Sequence, residues 1–364
     1  MTHSSPNAPA RPAARSGASP AAHSPAPQAD HADRTKTALQ RLADLRAWLF
    51  LAALVIVFEI WARLAFGGTF VFNSFNLQSI AIFAVAPLLL ATGQTFVIIS
   101  GGIDLSLGFI MGLAAVVVSH VINLTNPMLG MPLAVLAGFL VALAVATVPG
   151  IINGLLIARL RVPPFIGTLG MFGVARGVAF LLAGGTTVPV SNTLFATIGN
   201  GRLFGIPYIV LIAALFVLIM HYLLSQTRFG QHNYAIGANV QAARRAGIDI
   251  SSHLLRLYML SALCAGVGGV LYAARFSAGA AQAGEPLLLD SVAAVVIGGA
   301  SLFGGSGTIL GTVAGALVIA VIQYGLVFVN IEPFWQFISV GVVIIISVLI
   351  DQAQRRFSGG RQDE

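Results

Sequence analysis

The chain has 364 residues, 57% of them hydrophobic and only 9% charged, with a mean hydropathy of +0.91. A soluble domain carries roughly 25% charged residues, so most of this chain cannot face water and lipid is its solvent. The net charge of +7 does not mark a nucleic-acid binder, because the basic residues are spread between apolar runs rather than gathered in one patch.

Residues 1–45 are rich in Pro, Ala, Ser and His, lack the apolar content to fold alone, and read as a disordered cytoplasmic tail. No apolar segment precedes Trp48, so no cleavable signal is expected. A permease-like membrane domain follows over 46–352, with a short cytoplasmic C-terminal tail over 353–364. A crossing takes about 20 helical residues, and ten such stretches are predicted. They run near 47–66, 79–99, 104–124, 131–159, 164–183, 206–225, 254–274, 287–303, 309–329 and 334–351. Pro149-Gly150 predicts a kink in the fourth. The eighth is short and Gly-rich, the pattern of a broken crossing. The fold class is therefore an all-α polytopic membrane protein.

Arginines set the orientation. Arg34, Lys36, Arg41 and Arg46, then Arg159 and Arg161, then Arg228, Arg244, Arg245 and Arg256, then Arg355, Arg356 and Arg361 all fall on one side of ten crossings. The opposite side holds Arg63, Arg202 and Arg275, so both termini are placed in the cytoplasm. Short matches suggest an inverted five-helix repeat. Ile103-Asp104-Leu105-Ser106 opens span three as Leu289-Asp290-Ser291-Val292 opens span eight, and Pro164-Phe165 opens span five as Pro333-Phe334 opens span ten.

Chemistry is scarce. The chain has one lysine, Lys36 in the tail, so G-x-x-x-x-G-K-[ST] cannot occur and no standard nucleotide-binding loop is present. Gly304-Gly305-Ser306-Gly307 is then a turn. The single Cys264 reads as a buried small hydrophobe, and no catalytic or metal-ligand spacing is found, so no cofactor or metal is expected on this chain. Outer loops reach only the 22 residues from Gly184 to Gly205, too few for a binding domain. Substrate capture and energy must both come from other chains.

Four features carry mechanism. Gly101-Gly102-Ile103-Asp104 places Asp104 at the start of a helix, as a plain N-cap or as part of a gate. Ala238–Ile248 reads as a short helix ended by Gly247 in the longest inner loop, either a solvated loop or a docking element. Glu59 and Arg63 are four apart and pair. Arg176 and Asp290 are ionisable groups within spans, facing a cavity, each other or backbone carbonyls. The G-x-x-x-G pairs Gly108/Gly112, Gly150/Gly154, Gly173/Gly177 and Gly311/Gly315 mark close helix packing.

The strings GGIDLSLG (101–108), NGLLIARLRVPPFIGTLG (153–170), GANVQAARRAGI (237–248) and DSVAAVVIGGASLFGG (290–305) together resemble the permeases of ribose-type monosaccharide ABC importers, over about residues 50–352. The resemblance implies a second permease copy or paralogue forming one path, a sugar ABC ATPase that binds ATP and Mg, and a periplasmic sugar-binding protein. It implies that Gly237, Asn239, Ala242, Ala243, Arg244, Gly247 and Ile248 form the loop that touches the ATPase. Many relatives carry Tyr-Glu-Leu-Asp where this chain has Leu287-Leu288-Leu289-Asp290, so the preceding acid is lost here. A neutral hydroxylated cargo calls for polar and aromatic groups, and Asp104, Asn153, Phe165, Thr168, Arg176, Asp290 and Gln323 are the candidate path or gate residues. The same machinery carrying branched-chain amino acids or nucleosides is the alternative. An ion-coupled secondary transporter would need buried carboxylates near mid-bilayer, whereas Asp104 and Asp290 are expected near span ends.

Overall fold

The computed structural model describes residues 45–332 and 334–359. The 1–45 tail therefore lies, apart from Leu45, outside the described residues, as do Pro333, Arg361 and the side chains of Arg355 and Arg356. The architecture is helical. The long helices are α1 (Arg46–Phe66), α2 (Ser74–Ile99), α3 (Leu107–Leu129), α4 (Met131–Ala158) and α5 (Pro164–Ala183). After α6 (Thr193–Asn200) come α7 (Tyr208–Gln226), the short α8 (Arg228–Ala238) and α9 (Val240–Arg245), and α10 (Ile250–Phe276). The chain closes with α11 (Leu287–Ile297), α12 (Ile309–Phe328) and α13 (Phe334–Gly359).

Side chains written into the sequence fix many helix starts. Asn73 accepts from Phe75 N–H at 2.9 Å, Asn192 from Phe195 N–H at 3.0 Å, Asn239 from Ala242 N–H at 2.9 Å and Thr308 from Gly311 N–H at 3.0 Å, each satisfying a free donor of a first turn. Glycines in left-handed conformation end α1 and α5, at Gly67 and Gly184. Helix α4 runs uninterrupted through Pro149-Gly150.

Eight of these helices are long and apolar enough to cross a membrane. Two of the ten expected stretches differ. The apolar part of α13 is Phe334–Ile346, and the helix continues to Gly359, into the segment expected to be a tail. The eighth stretch is helical only over the eleven residues of α11 and stops at Gly298. Eleven residues rise about 16 Å, roughly half a hydrocarbon core. The preceding chain makes up the difference. Ala278–Gly279 pairs as a strand with Val188–Pro189. The backbone then descends along α3, with Gly279 against Ala115 O, Ala281 O against Gly112, and Gly284 against Gly108.

Mirror behaviour occurs in the first half. Residues 100–106 turn back into the bundle before α3 begins, and Asp104 in that segment is fully buried. Helix contacts repeat in matching pairs: α3 with α4 and α5, as α11 with α12 and α13; α10 with α3 and α4, as α2 with α11 and α12. Helices α2 and α10 pack on each other at the centre. Four helices of each half share this pairing, whereas α1 and α7 break it, α1 packing on α12 and α7 on α2.

Three of the four G-x-x-x-G pairs are packed. A Cβ on Gly112 would strike Ala281 O, one on Gly150 would lie 2.6 Å from Tyr258 O, and one on Gly315 would strike Ala294 O. Gly173 and Gly177 meet nothing within 4 Å, so this pair lies open on the outward face of α5.

Candidate functional site

The segment singled out in the sequence, Ala238–Ile248, forms the short helix α9, and α8 leads into it. Helix α9 starts on Asn239 and is closed by Gly247 in the left-handed region (φ +83°), with Gly247 N–H donating to Arg244 O at 3.0 Å and Ile248 N–H to Ala243 O at 3.1 Å. Ala242 and Arg244 are exposed, while Ala243 is buried and seats the helix. The exposed face is available to a partner.

Helix α8 bolts this unit to the bundle. Asn233 is fully buried, donates from Nδ2 to Phe96 O at 2.9 Å, and its Oδ1 lies 3.3 Å from His253 Nε2. Tyr234 donates its hydroxyl to Gly307 O at 2.7 Å, and burial raises the phenol above its ordinary pKa, keeping it a donor. Gly237 is pressed onto Ile99 O, with room for no side chain. Gly305 N–H donates to the same Ile99 O at 2.8 Å. The Gly304–Gly307 turn is thus the bracket in which α8 sits, joining the end of α2 to the α11–α12 connection. Asn233 and Tyr234 were not singled out in the sequence; their only signal was adjacency to the docking motif.

On the same end of the bundle, Arg159, Arg161 and Arg244 line a groove with Pro163, Pro164 and Ser251. Arg161 holds a left-handed backbone (φ +58°), and Ser251 donates to Ala158 O at 3.2 Å. Asp249 caps α10 by accepting from Ser252 N–H at 3.1 Å and from its hydroxyl at 2.6 Å. Those bonds hold its carboxyl below the ordinary aspartate range.

The candidate path residues fall into three groups. Asp104, Asn153 and Thr168 come together. Ser106 donates N–H and hydroxyl to Asp104 Oδ1 at 3.0 and 2.5 Å, Asn153 Nδ2 donates to Ser106 Oγ at 2.9 Å, and Thr168 donates to Ile103 O at 3.2 Å. Gln94, with its amide turned to satisfy both groups, bridges Asp104 N–H and O at 3.3 and 3.2 Å. Asp104 precedes α3 by three residues and stiffens its entry; it is not the cap, which is Ser106. Asn153 Oδ1 has no hydrogen-bond partner among the described residues, and the Ser261 hydroxyl faces the Asp104 carboxyl.

Asp290 and Gln323 form the second group, with Gln323 Nε2 donating to Asp290 Oδ2 at 2.7 Å. Asp104 and Asp290 are 0% and 6% exposed, buried just before the start of α3 and in the first turn of α11, and Asp290 shares a cavity with Arg275 and Phe276 at the end of α10. The two groups correspond: Asn153 lies five residues before the end of α4, and Gln323 five before the end of α12.

Phe165 and Arg176 make the third, on the exposed face of α5. Arg176 does not pair with Asp290. Its guanidinium stands 5.3 Å from the Phe109 ring centroid and 5.9 Å from that of Phe180, a cation–π seat that offsets the cost of a charge within a span. Glu59 and Arg63 do pair, at 2.7 Å.

No group of three or more His, Cys, Asp or Glu able to hold a metal occurs among the described residues. Comparison with known proteins agrees with this architecture. Residues 76–348 match the family model described as branched-chain amino acid transport system / permease component. The chain is 34% identical to the ribose import permease protein RbsC of Escherichia coli K12 over 330 residues, covering 88% of this chain and 99% of that protein. It is 34% identical to the galactose/methyl galactoside import permease MglC of the same strain (82% and 92% covered) and to the fructose import permease FrcC of Rhizobium meliloti (84% and 86%). With its helical bundle, its re-entrant segments and its surface helix in place, this multi-pass membrane chain belongs to that family of transport permeases.

Proposed function

We propose that the chain is the translocating subunit of an ATP-driven importer for a monosaccharide. The observation that carries this reading is the way α8–α9 is fastened. An exposed helix on the arginine-bearing end is tied by Asn233, Tyr234 and Gly237 to α2 and to the α11–α12 turn, hence to both halves of the repeat. A push on α9 from an ATPase moves both halves at once. The Arg159–Arg161–Arg244 groove beside it suits an acidic partner surface. The cargo assignment rests on the relatives, whose names give ribose, galactose and fructose.

On this reading a periplasmic binding protein delivers the sugar, two permease subunits form the path, and a separate ATPase holds ATP and Mg. The outward face of α5, with Phe165, Arg176 and the open Gly173/Gly177 pair, is the surface offered to the second subunit. The test is reconstitution of the permease with its ATPase and binding protein in proteoliposomes. Sugar-dependent ATP hydrolysis and uptake are expected. Sugar accumulation by the permease alone on an ion gradient would refute the reading, and uptake of L-leucine in place of sugar would transfer it to the amino-acid branch.

A further inference from the structure

The groups Asp290 and Gln323 open onto a cavity of about 300 Å³ between α2, α10, α11, α12 and α13. Most of its lining is apolar, with Ile82, Phe83, Val85, Ile209, Leu271 and Phe337 among it. The polar groups on its walls are Tyr272, Arg275, Asp290, Gln323 and Gln336. We propose that this cavity is a holding station for the sugar within a single permease subunit, a reading that rests on the importer function above.

The chemistry of the walls narrows the ligand. Arg275 and Asp290 share the cavity without pairing to each other among the described residues. One end therefore offers guanidinium donors and the other a carboxylate acceptor. Gln323 Nε2 donates to Asp290 Oδ2, and Gln336 Nε2 donates to the Gln323 backbone O at 3.5 Å, so the three side chains sit together on the cavity wall. An anion is repelled by Asp290 and a cation by Arg275, whereas a zwitterion would meet both charges. The choice of sugar over amino acid therefore rests on the importer reading, and L-leucine is the decisive competitor. A lipid chain would leave a carboxylate and two amides against hydrocarbon, a costly arrangement. A neutral ring bearing hydroxyls satisfies donors and acceptors together, and the Tyr272 and Phe337 rings suit its C–H faces.

Position supports the same ligand. The cavity lies at the start of α11, a helix covering only half a crossing, beside the C-terminal end of α10. It is therefore on the side opposite α8–α9, where cargo enters. Broken helices at repeat interfaces are where transporters place substrate sites.

The experiment uses the full permease carrying Gln336→Cys, reconstituted with its ATPase and binding protein; the native Cys264 is 0% exposed and stays. The unmodified complex is first assayed for uptake of D-ribose, D-galactose, D-fructose and L-leucine. The imported sugar is expected to slow modification of the introduced thiol by a membrane-impermeant methanethiosulfonate. Gln336→Ala and Tyr272→Ala are each expected to lower the sugar imported per ATP hydrolysed, by roughly fivefold for one lost polar contact. A variant that merely misfolds loses hydrolysis and uptake together and leaves that ratio unchanged, so the ratio and the thiol protection decide. If the unmodified complex imports sugar, yet labelling is indifferent to it and both alanine variants keep the wild-type ratio, the holding station is wrong while the importer reading stands. If leucine is imported and no sugar is, both fall.

Discussion

Replacing Gly237 by alanine tests the fastening of the surface helices. The added methyl would strike Ile99 O and lie 2.6 Å from Gly305 N. Those atoms are the acceptor and donor of the 2.8 Å bond that joins the bracket turn to α2. Both neighbours are backbone, and alanine has no rotamer by which to avoid them. Overpacking costs about 1–3 kcal/mol, and losing the trapped bond adds about 1 kcal/mol. The seat of α8 should therefore weaken by roughly 2–4 kcal/mol, a factor of about 30 to 1,000 in its docking equilibrium. Global stability of about 5–15 kcal/mol leaves the bundle folded. Hydrogen exchange of residues 228–248 and sugar imported per ATP hydrolysed are the readouts. Faster exchange in α8 and a falling ratio are expected. Gly205→Ala is the control, because its site is open, only its left-handed backbone is strained and it lies outside α8–α9, at about 1–2 kcal/mol. Wild-type exchange and coupling in Gly237→Ala would refute the claim that α8 transmits force through this contact.

Tyr234→Phe removes the 2.7 Å bond to Gly307 O and keeps the ring, so protection of the bracket turn should drop by roughly fivefold, read by the same exchange experiment. Gly112→Ala drives a methyl into Ala281 O on the descending segment and should cost about 1–3 kcal/mol, seen as a lower melting temperature in detergent. Asn153→Ala takes the 2.9 Å donor from Ser106 Oγ within a buried network and should cost about 1–3 kcal/mol by the same assay. Asp249 has a folded pKa below its unfolded one. Its capping contribution is therefore present above the unfolded pKa and lost as pH falls through the folded value. Protection of residues 250–254, taken relative to intrinsic exchange at each pH, should fall on acidification in the wild type and be flat in Asp249→Asn.

Much of this molecule was legible without coordinates. Crossing segments appear because lipid demands long apolar helices with internally satisfied backbone, and the fifth stretch, 164–183, matches α5 end to end. The α9 motif was readable because caps are local: Asn239 and Gly247 act within one turn of themselves. Less visible was how deep a segment sits. Asp104 reads as a helix start, but one-dimensional hydropathy cannot show its complete burial where the chain folds back into the bundle at 100–106. For Arg176 the sequence leaves a cavity, Asp290 and backbone carbonyls equally open, and only packing shows it seated over Phe109 and Phe180.

Composition by itself determined that the chain is a lipid-dissolved helical bundle lacking a nucleotide-binding loop, because charge content and the single lysine are properties of the string alone. Tertiary structure decided which residues work together. Gln323 meets Asp290 across 33 positions, and Asn233 meets Phe96 across 137. Such pairings depend on how helices cross, and crossing is set by shape complementarity between distant small residues such as Gly112 and Ala281.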